Sequence, residues 1–236
     1  AYLSSRGHDV RAYNGQLDTA ARQAIEAELK DNRIKAVVAT SALGMGYDKP
    51  DLGFVVHVGS PGSPVDYYQQ VGRAGRALDT AQVVLIPTPA DDGIWRYFAT
   101  ASIPREEEAH SVIDVLAASE SAMSVPQLTV ATGVRDSRLD LLVKVLAVDG
   151  AVRRTTAGWE ATGQPWTYDA AGYAALLAAR EREADLMRAY ARSERCLDSV
   201  LREALDDPSG TACGRCSACT RVLPEGLSDR PDPVYV

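Results

Sequence analysis

Ala36-Val37-Val38-Ala39-Thr40-Ser41-Ala42-Leu43-Gly44-Met45-Gly46-Tyr47-Asp48-Lys49-Pro50-Asp51 decides how the first hundred residues are read. A short apolar run gives way to a loop of glycines and polar groups. A strand that is apolar throughout, without alternation, is one buried on both faces, and parallel sheets are built from such strands. Phe54-Val55-Val56-His57-Val58 and Gln82-Val83-Val84-Leu85-Ile86 have the same character, and Arg11-Ala12-Tyr13 is a shorter strand. Helical patterns fall between them. One opens at the capping residue Asp18 and runs through Ala20, Ile25 and Leu29 to Lys30-Asp31-Asn32; others lie near residues 64–74 and 89–100. Strands alternating with helices imply an α/β domain around a parallel sheet.

In such sheets, ligands collect beyond the carboxyl ends of the strands. The loop at 41–51 lies there, and so does Gly59-Ser60-Pro61-Gly62-Ser63-Pro64. The second loop leads through Tyr67-Tyr68 into Gln69-Gln70-Val71-Gly72-Arg73-Ala74-Gly75-Arg76. Two arginines three residues apart on a helix end or tight turn can lie on one side. Glycine lets a backbone or ligand approach closely, and the forked, permanently charged guanidinium suits phosphate better than lysine does. The residues alone leave two readings open: a phosphate-facing pair, or a surface turn with two solvated arginines. Tyr67 and Tyr68 are expected to pack against the sheet, as aromatics most often do. The chain has no Gly-x-x-x-x-Gly-Lys-Ser/Thr loop and no Asp-Glu box to hold Mg²⁺, both of which a triphosphate cradle needs.

Thr40 to Asp51, followed by His57, Pro61, Ser63, Tyr67, Gln69 and Gly72-Arg73-Ala74-Gly75-Arg76, resembles in order and spacing motifs V and VI of the RecQ family of DNA helicases. That family couples ATP hydrolysis to 3′-to-5′ movement on DNA, with ATP in the cleft between two RecA-like domains. The resemblance implies that residues 1–102 are most of the second RecA-like domain. It also implies that ATP and Mg²⁺ bind with a first RecA-like domain outside this chain, so that the chain alone is inactive. By the same resemblance Arg76 is the arginine finger, supplied to the γ-phosphate. Arg73 supports the phosphates or couples them to DNA, and Gln69 orients the attacking water or links nucleotide to DNA. Asp48 and Gly46 stand at the nucleotide, Asp48 near the ribose or as a coupler of its loop. Thr40 and Ser63 contact phosphates of the tracking strand. There are departures. Tyr13-Asn14-Gly15-Gln16-Leu17 stands where the family usually has Tyr-His-Ala-Gly-Leu. Leu43 and Tyr47 replace the usual Phe and Ile, and Val65 and Gln70 stand where Glu is common.

Residues 103–166 change character. Ile103-Pro104-Arg105 reads as a linker and Glu106 to Ala118 as a helix, with Val112, Ile113, Val115 and Leu116 apolar. Ser124-Val125-Pro126 carries the start signals of a second helix, which ends at Thr132-Gly133. Arg135 to Asp149 makes a third, with Leu139, Leu142, Val143 and Leu146 on one stripe and Gly150 as its stop. Val152 to Thr162 gives two short strands around a turn, with Trp159 a core residue. Three helices and a hairpin make a winged-helix pattern, an α+β domain whose third helix often enters a DNA groove. Residues 135–154 carry five basic side chains, Arg135, Arg138, Lys144, Arg153 and Arg154, against three acidic ones. These five are candidate DNA contacts; the other reading is a packing or protein-contact module.

Residues 167–222 begin with a long helix at 169–195, whose apolar stripe is Tyr173, Leu176, Leu177, Arg180, Ala184, Met187 and Ala191. Its charges from Arg180 to Glu183 read as a solvated face. The helix delivers Cys196, and after sixteen intervening residues comes Cys213-Gly214-Arg215-Cys216-Ser217-Ala218-Cys219. Two-residue spacings let tight turns present several sulfurs to one ion, and four thiolates make a closed tetrahedral zinc site with no position open for water. Disulfides or free thiols are the other reading. The long helix and this spacing also resemble the zinc-binding module of RecQ helicases, which there directly follows the second motor domain. Here a winged-helix-like segment lies between. The tail, 223–236, with Pro224, Pro231 and Pro233, reads as a linker or an end.

The bulk numbers set limits. With 236 residues there is room for two or three small domains. A composition 46% hydrophobic and 24% charged is ordinary for a globular protein, and no apolar run approaches the length of a membrane span. The net charge of −7 argues against coating nucleic acid through bulk positive charge, so any DNA contact must be a local patch. The cysteine cluster suggests metal and a reducing cytoplasm. Ala1-Tyr2-Leu3-Ser4-Ser5-Arg6 reads like the middle of a helix, so the chain is expected to be a fragment. The expectation is therefore a multidomain chain: an α/β RecA-like domain, a winged helix and an α-helical zinc module. Together they would form the C-terminal half of a RecQ-like helicase acting on single-stranded DNA and duplex junctions. The rival is a non-catalytic DNA-binding or interaction module built on the winged helix and zinc site.

Overall fold

The structure, a computed structural model, describes residues 2–40, 43, 47–101, 103–207 and 210–223. Gly44, Gly46 and the proline-containing tail lie outside the described residues. The chain divides into two units, residues 1–56 with 69–84, and residues 57–68 with 85–236.

The first unit opens with α1 (Tyr2–Ser5), β1 (Val10–Tyr13), α2 (Thr19–Lys30) and β2 (Ala36–Ala39). Asp18 starts α2 as its composition predicts, accepting from the Ala21 N–H at 2.7 Å. β1 and β2 are parallel, from Val10 opposite Ala36 to Tyr13 opposite Ala39. Parallel neighbours need a crossover, and α2 supplies it. Tyr13, Leu29 and Ile34 are buried in this β-α-β unit.

β3 (Phe54–Val58), α3 (Pro64–Val71) and β4 (Gln82–Ile86) follow. β3 pairs with β4. Gln82 N–H donates to Gly53 O and Gly59 N–H to Ile86 O, each at 2.9 Å, so both strands run the same way. α3 ends at Val71, short of the 64–74 expected. Gly72 and Gly75 are poor helix formers, and Gly75 turns left-handed at φ 74°. The strands also differ from expectation in burial: Val38, Phe54, Val56 and Val58 are exposed. Among the described residues each strand has one partner, so the sheets are two strands wide.

In the second unit Tyr67 is buried while Tyr68 is half exposed. Successive helical residues point about 100° apart, so both could not face inward. The Tyr67 ring meets His57 at 5.2 Å and Tyr190 at 5.1 Å, both edge-on. Burial raises the Tyr67 hydroxyl pKa, against a lowering hydrogen bond with Tyr190.

α4 (Asp91–Ala101) precedes α5 (Glu106–Ala118), α6 (Val125–Thr132) and α7 (Asp136–Val148), then the antiparallel hairpin β5 (Val152–Arg154) and β6 (Trp159–Ala161). α6 has the capping box of Ser124 and Gln127, with proline in its first turn and Gly133 at φ 72° as its stop. Leu139, Leu142, Val143 and Leu146 of α7 are all buried, against Val112, Leu116, Leu128 and Trp159. This is one continuous core for residues 109–159.

α8 (Ala170–Ala191), α9 (Leu197–Glu203) and α10 (Ser217–Thr220) complete the described chain. The long apolar stripe expected on α8 is only partly used: Ala184 and Met187 are buried, whereas Leu176 and Leu177 are exposed. The C-terminal half of α8 is anchored by Arg188. Its guanidinium lies 5.3 Å from the Trp95 ring and pairs with Asp92, Glu181 and Asp185 at 2.7–2.9 Å. No helix among the described residues is long and apolar enough to cross a membrane.

Leu146→Ala is expected to destabilise the 105–161 unit by about 2–5 kcal/mol, through lost transfer energy and an unfilled cavity. Val148→Ala, at an exposed position of the same helix, should change stability by less than about 0.5 kcal/mol. Urea unfolding followed by tryptophan fluorescence distinguishes them.

Candidate functional site

In the first unit, the turn after α3 folds back on the loop that follows β2. Gly75 N–H donates to Leu52 O at 2.9 Å and Ala77 N–H to Pro50 O at 2.8 Å. Arg76 is thus tethered by the residue on either side. Its Nη1 reaches Asp48 Oδ1 at 2.9 Å, and its Nε reaches Gly72 O at 3.2 Å. Arg73 Nη1 reaches Leu43 O at 3.3 Å and its Nε reaches Gln69 O at 3.4 Å. The structure therefore brings Arg76 to Asp48 and Arg73 to the carbonyls of Leu43 and Gln69.

The Arg76–Asp48 pair is exposed, at 51% and 60% of the two side chains. Exposed pairs contribute only about 0–1 kcal/mol. The guanidinium can leave Asp48 for a stronger anion such as phosphate at little cost. Thr40 stands exposed just after β2, its N–H donating to Tyr13 O at 3.1 Å. Ser63, in the second unit, is buried and accepts the Asp66 N–H at 3.1 Å, so its hydroxyl oxygen works as a helix-start acceptor.

Sequence reasoning did not single out Lys49 or Asn32. Lys49 is buried, with Nζ 2.7 Å from both Asn32 Oδ1 and Asp51 Oδ1. Asn32 Nδ2 donates to Asp51 Oδ2 at 2.8 Å, closing the triad. The hydrogen bonds from Asn32 and Lys49 hold the Asp51 carboxyl down at about 2. The one signal for them was a lysine set in a loop otherwise rich in glycine.

The second unit contains the four cysteines. Their Sγ atoms all lie within 4.8 Å of one another. A tetrahedral S₄ site with metal–sulfur bonds of about 2.3 Å needs sulfurs about 3.8 Å apart, so a small contraction suffices. Backbone N–H groups already point at the sulfurs: Leu197 to Cys216 at 3.4 Å, Cys213 to Cys196 at 3.2 Å and Cys216 to Cys213 at 3.4 Å. Burial opposes ionisation at Cys196, but the Cys213 and Ser199 N–H groups outweigh it and bring that thiol down to about 6. At Cys219 the Gly214 backbone favours the thiolate, but hydrogen bonds with the other three sulfurs push it up to about 12. Four sulfurs of which some ionise readily and one resists are a donor set lacking positive charge, and one soft divalent cation fits it.

The five basic residues of 135–154 are placed less favourably for DNA. Arg138 pairs with Glu108, Lys144 with Asp140 at 2.6 Å, and Arg153 with Glu160. Arg154 lies 5.9 Å from the Trp159 ring, and Arg135 is exposed just before α7.

Residues 1–78 match the family model of the helicase conserved C-terminal domain. The ATP-dependent DNA helicase RecQ of Synechocystis is 41% identical over 85 residues, covering 36% of this chain and 18% of that protein. The RecQ of Pasteurella multocida is 40% identical over 89 residues, covering 38% and 14%. The Arabidopsis thaliana ATP-dependent DNA helicase Q-like 5 is 43% identical over 75 residues, covering 32% and 8%. The chain thus spans less than a fifth of each of these relatives. The solved structure of the Mycobacterium smegmatis helicase Lhr aligns over 65% of this chain and 23% of that one, at 23% identity and a TM-score of 0.32, too low to carry an argument.

Two outcomes are expected. Chelator treatment at neutral pH is expected to quicken amide exchange around Cys196 and Cys213–Cys219, the outcome that a metal held by the four sulfurs predicts. Separately, Asp51 has a folded pKa depressed from 3.8 to about 2. Its contribution to stability is therefore present above 3.8 and lost as pH falls through about 2. Acid titration of Asp51→Asn beside the parent should show the parent losing more stability across that window.

Proposed function

We propose that residues 1–78, which match the helicase conserved C-terminal domain, are that domain of a RecQ-like protein, and that the chain is the C-terminal half of an ATP-dependent DNA helicase that unwinds duplex DNA 3′-to-5′. The observation that carries this reading is the docking of both arginines, Arg73 at Leu43 O and Arg76 at Asp48, on the loop that follows β2.

ATP and Mg²⁺ are held by a first RecA-like domain outside this chain, and this half completes the site. Arg76 is the arginine finger. As the γ-phosphoryl group transfers, negative charge spreads over its oxygens, and a permanently charged fork stabilises that state more than the ground state. Asp48 is the resting partner of the guanidinium. Arg73 ties Leu43 to the arginine turn, so nucleotide and DNA contacts move together. Gln69 stands beside it to orient water or relay to DNA, and Gly46 and Asp48 border the nucleotide. Thr40 and Ser63 are each candidate contacts to the tracking strand's phosphates.

Residues 103–166 read as a winged helix. Because Arg138, Lys144 and Arg153 each have a carboxylate partner, its DNA contact falls mainly on Arg135 and Arg154. Cys196, Cys213, Cys216 and Cys219 read as a structural zinc site; zinc bound there supplies cross-linking of two loops and no chemistry on the substrate.

Arg76→Ala in the full-length protein is expected to lower ATP turnover by about 10³-fold or more while leaving DNA affinity unchanged. Steady-state ATPase assays with fluorescence anisotropy on single-stranded DNA measure both. Undiminished turnover would remove Arg76 from the finger role.

A further inference from the structure

Arg76 is held through its neighbours Gly75 and Ala77, whose N–H groups bond Leu52 O and Pro50 O, so what fixes residues 50–52 fixes the turn that carries the arginine. Asp51 lies between those two residues, and its carboxylate is clamped from two sides. Lys49 Nζ approaches one oxygen at 2.7 Å and Asn32 Nδ2 the other at 2.8 Å, while Lys49 and Asn32 bond each other at 2.7 Å. The Lys49 side chain is only 4% exposed. A buried ammonium stripped of water is costly unless its partners keep their geometry, so the triad resists distortion. Asn32 occupies the left-handed region at φ 56°, at the stop of α2. The clamp thereby ties Lys49 and Asp51 to the α2–β2 turn.

We propose that Asn32, Lys49 and Asp51 form a positioning triad that sets the register of the Arg76 turn. None of the three is placed at the nucleotide. They act through two backbone bonds, Gly75 N–H to Leu52 O and Ala77 N–H to Pro50 O. The proposal rests on Arg76 being the arginine finger. Positioning a group that acts in the transition state alters kcat rather than KM, because ground-state binding of nucleotide does not use it.

The test uses the full-length protein with three variants. Lys49→Met keeps length and removes the charge. Asn32→Gly keeps the left-handed turn and removes the side chain. Arg76→Ala serves as the reference for loss of the finger. Hydrogen exchange over the peptide containing Gly75 and Ala77 should quicken by about tenfold in the first two. ATPase kcat should fall by about 10- to 100-fold with KM for ATP changed less than about twofold. The melting temperature reports global stability separately, and Asn32→Gly serves if Lys49→Met does not fold. Unchanged exchange at Gly75 and Ala77 in a folded variant overturns the triad. So does quickened exchange with full kcat, provided Arg76→Ala abolishes turnover. Full turnover in Arg76→Ala overturns the finger reading instead, and the exchange result still decides whether the triad sets the turn.

Discussion

Gly75 and Ala77 give their N–H groups to Leu52 and Pro50, and the position of Arg76 in the first unit depends on that pair of bonds. A long cation on a loose turn samples many positions and spends its charge on water. Bonded on both sides of Arg76, the turn offers the side chain one root. Gly75 is required for this. Its φ is 74°, and a Cβ there would sit 2.9 Å from the Ala81 Cβ. A residue with a side chain would have to open the turn, and the N–H would no longer aim at Leu52. One backbone constraint thus runs from sequence through conformation to the direction of a charge.

The second unit solves a different problem. α8 has few large buried side chains, and its first half stands largely exposed. Its second half is fixed by Arg188 stacked on Trp95 and surrounded by Asp92, Glu181 and Asp185. The Trp95 N–H in turn donates to Ser60 O at 2.8 Å. Asp91, buried beside it, accepts from the Ser60 and Thr88 N–H groups and the Thr88 hydroxyl at 2.6–3.0 Å. Polar groups replace bulk here, and the buried Asp91 is held by three partners. Tyr190 on the same helix meets Tyr67, so the start of α3 and the helix leading to Cys196 share one ring stack.

What the sequence revealed was local in origin. β3 and β4, the caps of α2 and α6, and the buried stripe of α7 follow from periodicity and turn chemistry within a few residues. The arginines and cysteines were legible because their spacing is itself the signal. The misses come from contacts that spacing cannot carry. Lys49 finds Asn32 seventeen residues away, Arg138 finds Glu108 thirty residues away, and Arg188 finds Asp92 ninety-six residues away. A basic stretch on paper became a set of ion pairs once Glu108 and Glu160 were brought beside it. The sixteen-residue gap between Cys196 and Cys213 hid α9, whose seven residues are too few for a clear helical period.

Four sulfurs within 4.8 Å of one another leave this part of the chain with two mutually exclusive fates. Held by a cation, they are thiolates whose electrons are committed to coordination. Without one they are a crowded set of thiols, some easily ionised, and thiolates near other thiols are what oxidants convert to disulfides. The same closeness that makes a metal fit makes cross-linking easy. Coordination and oxidation would therefore compete for one set of atoms.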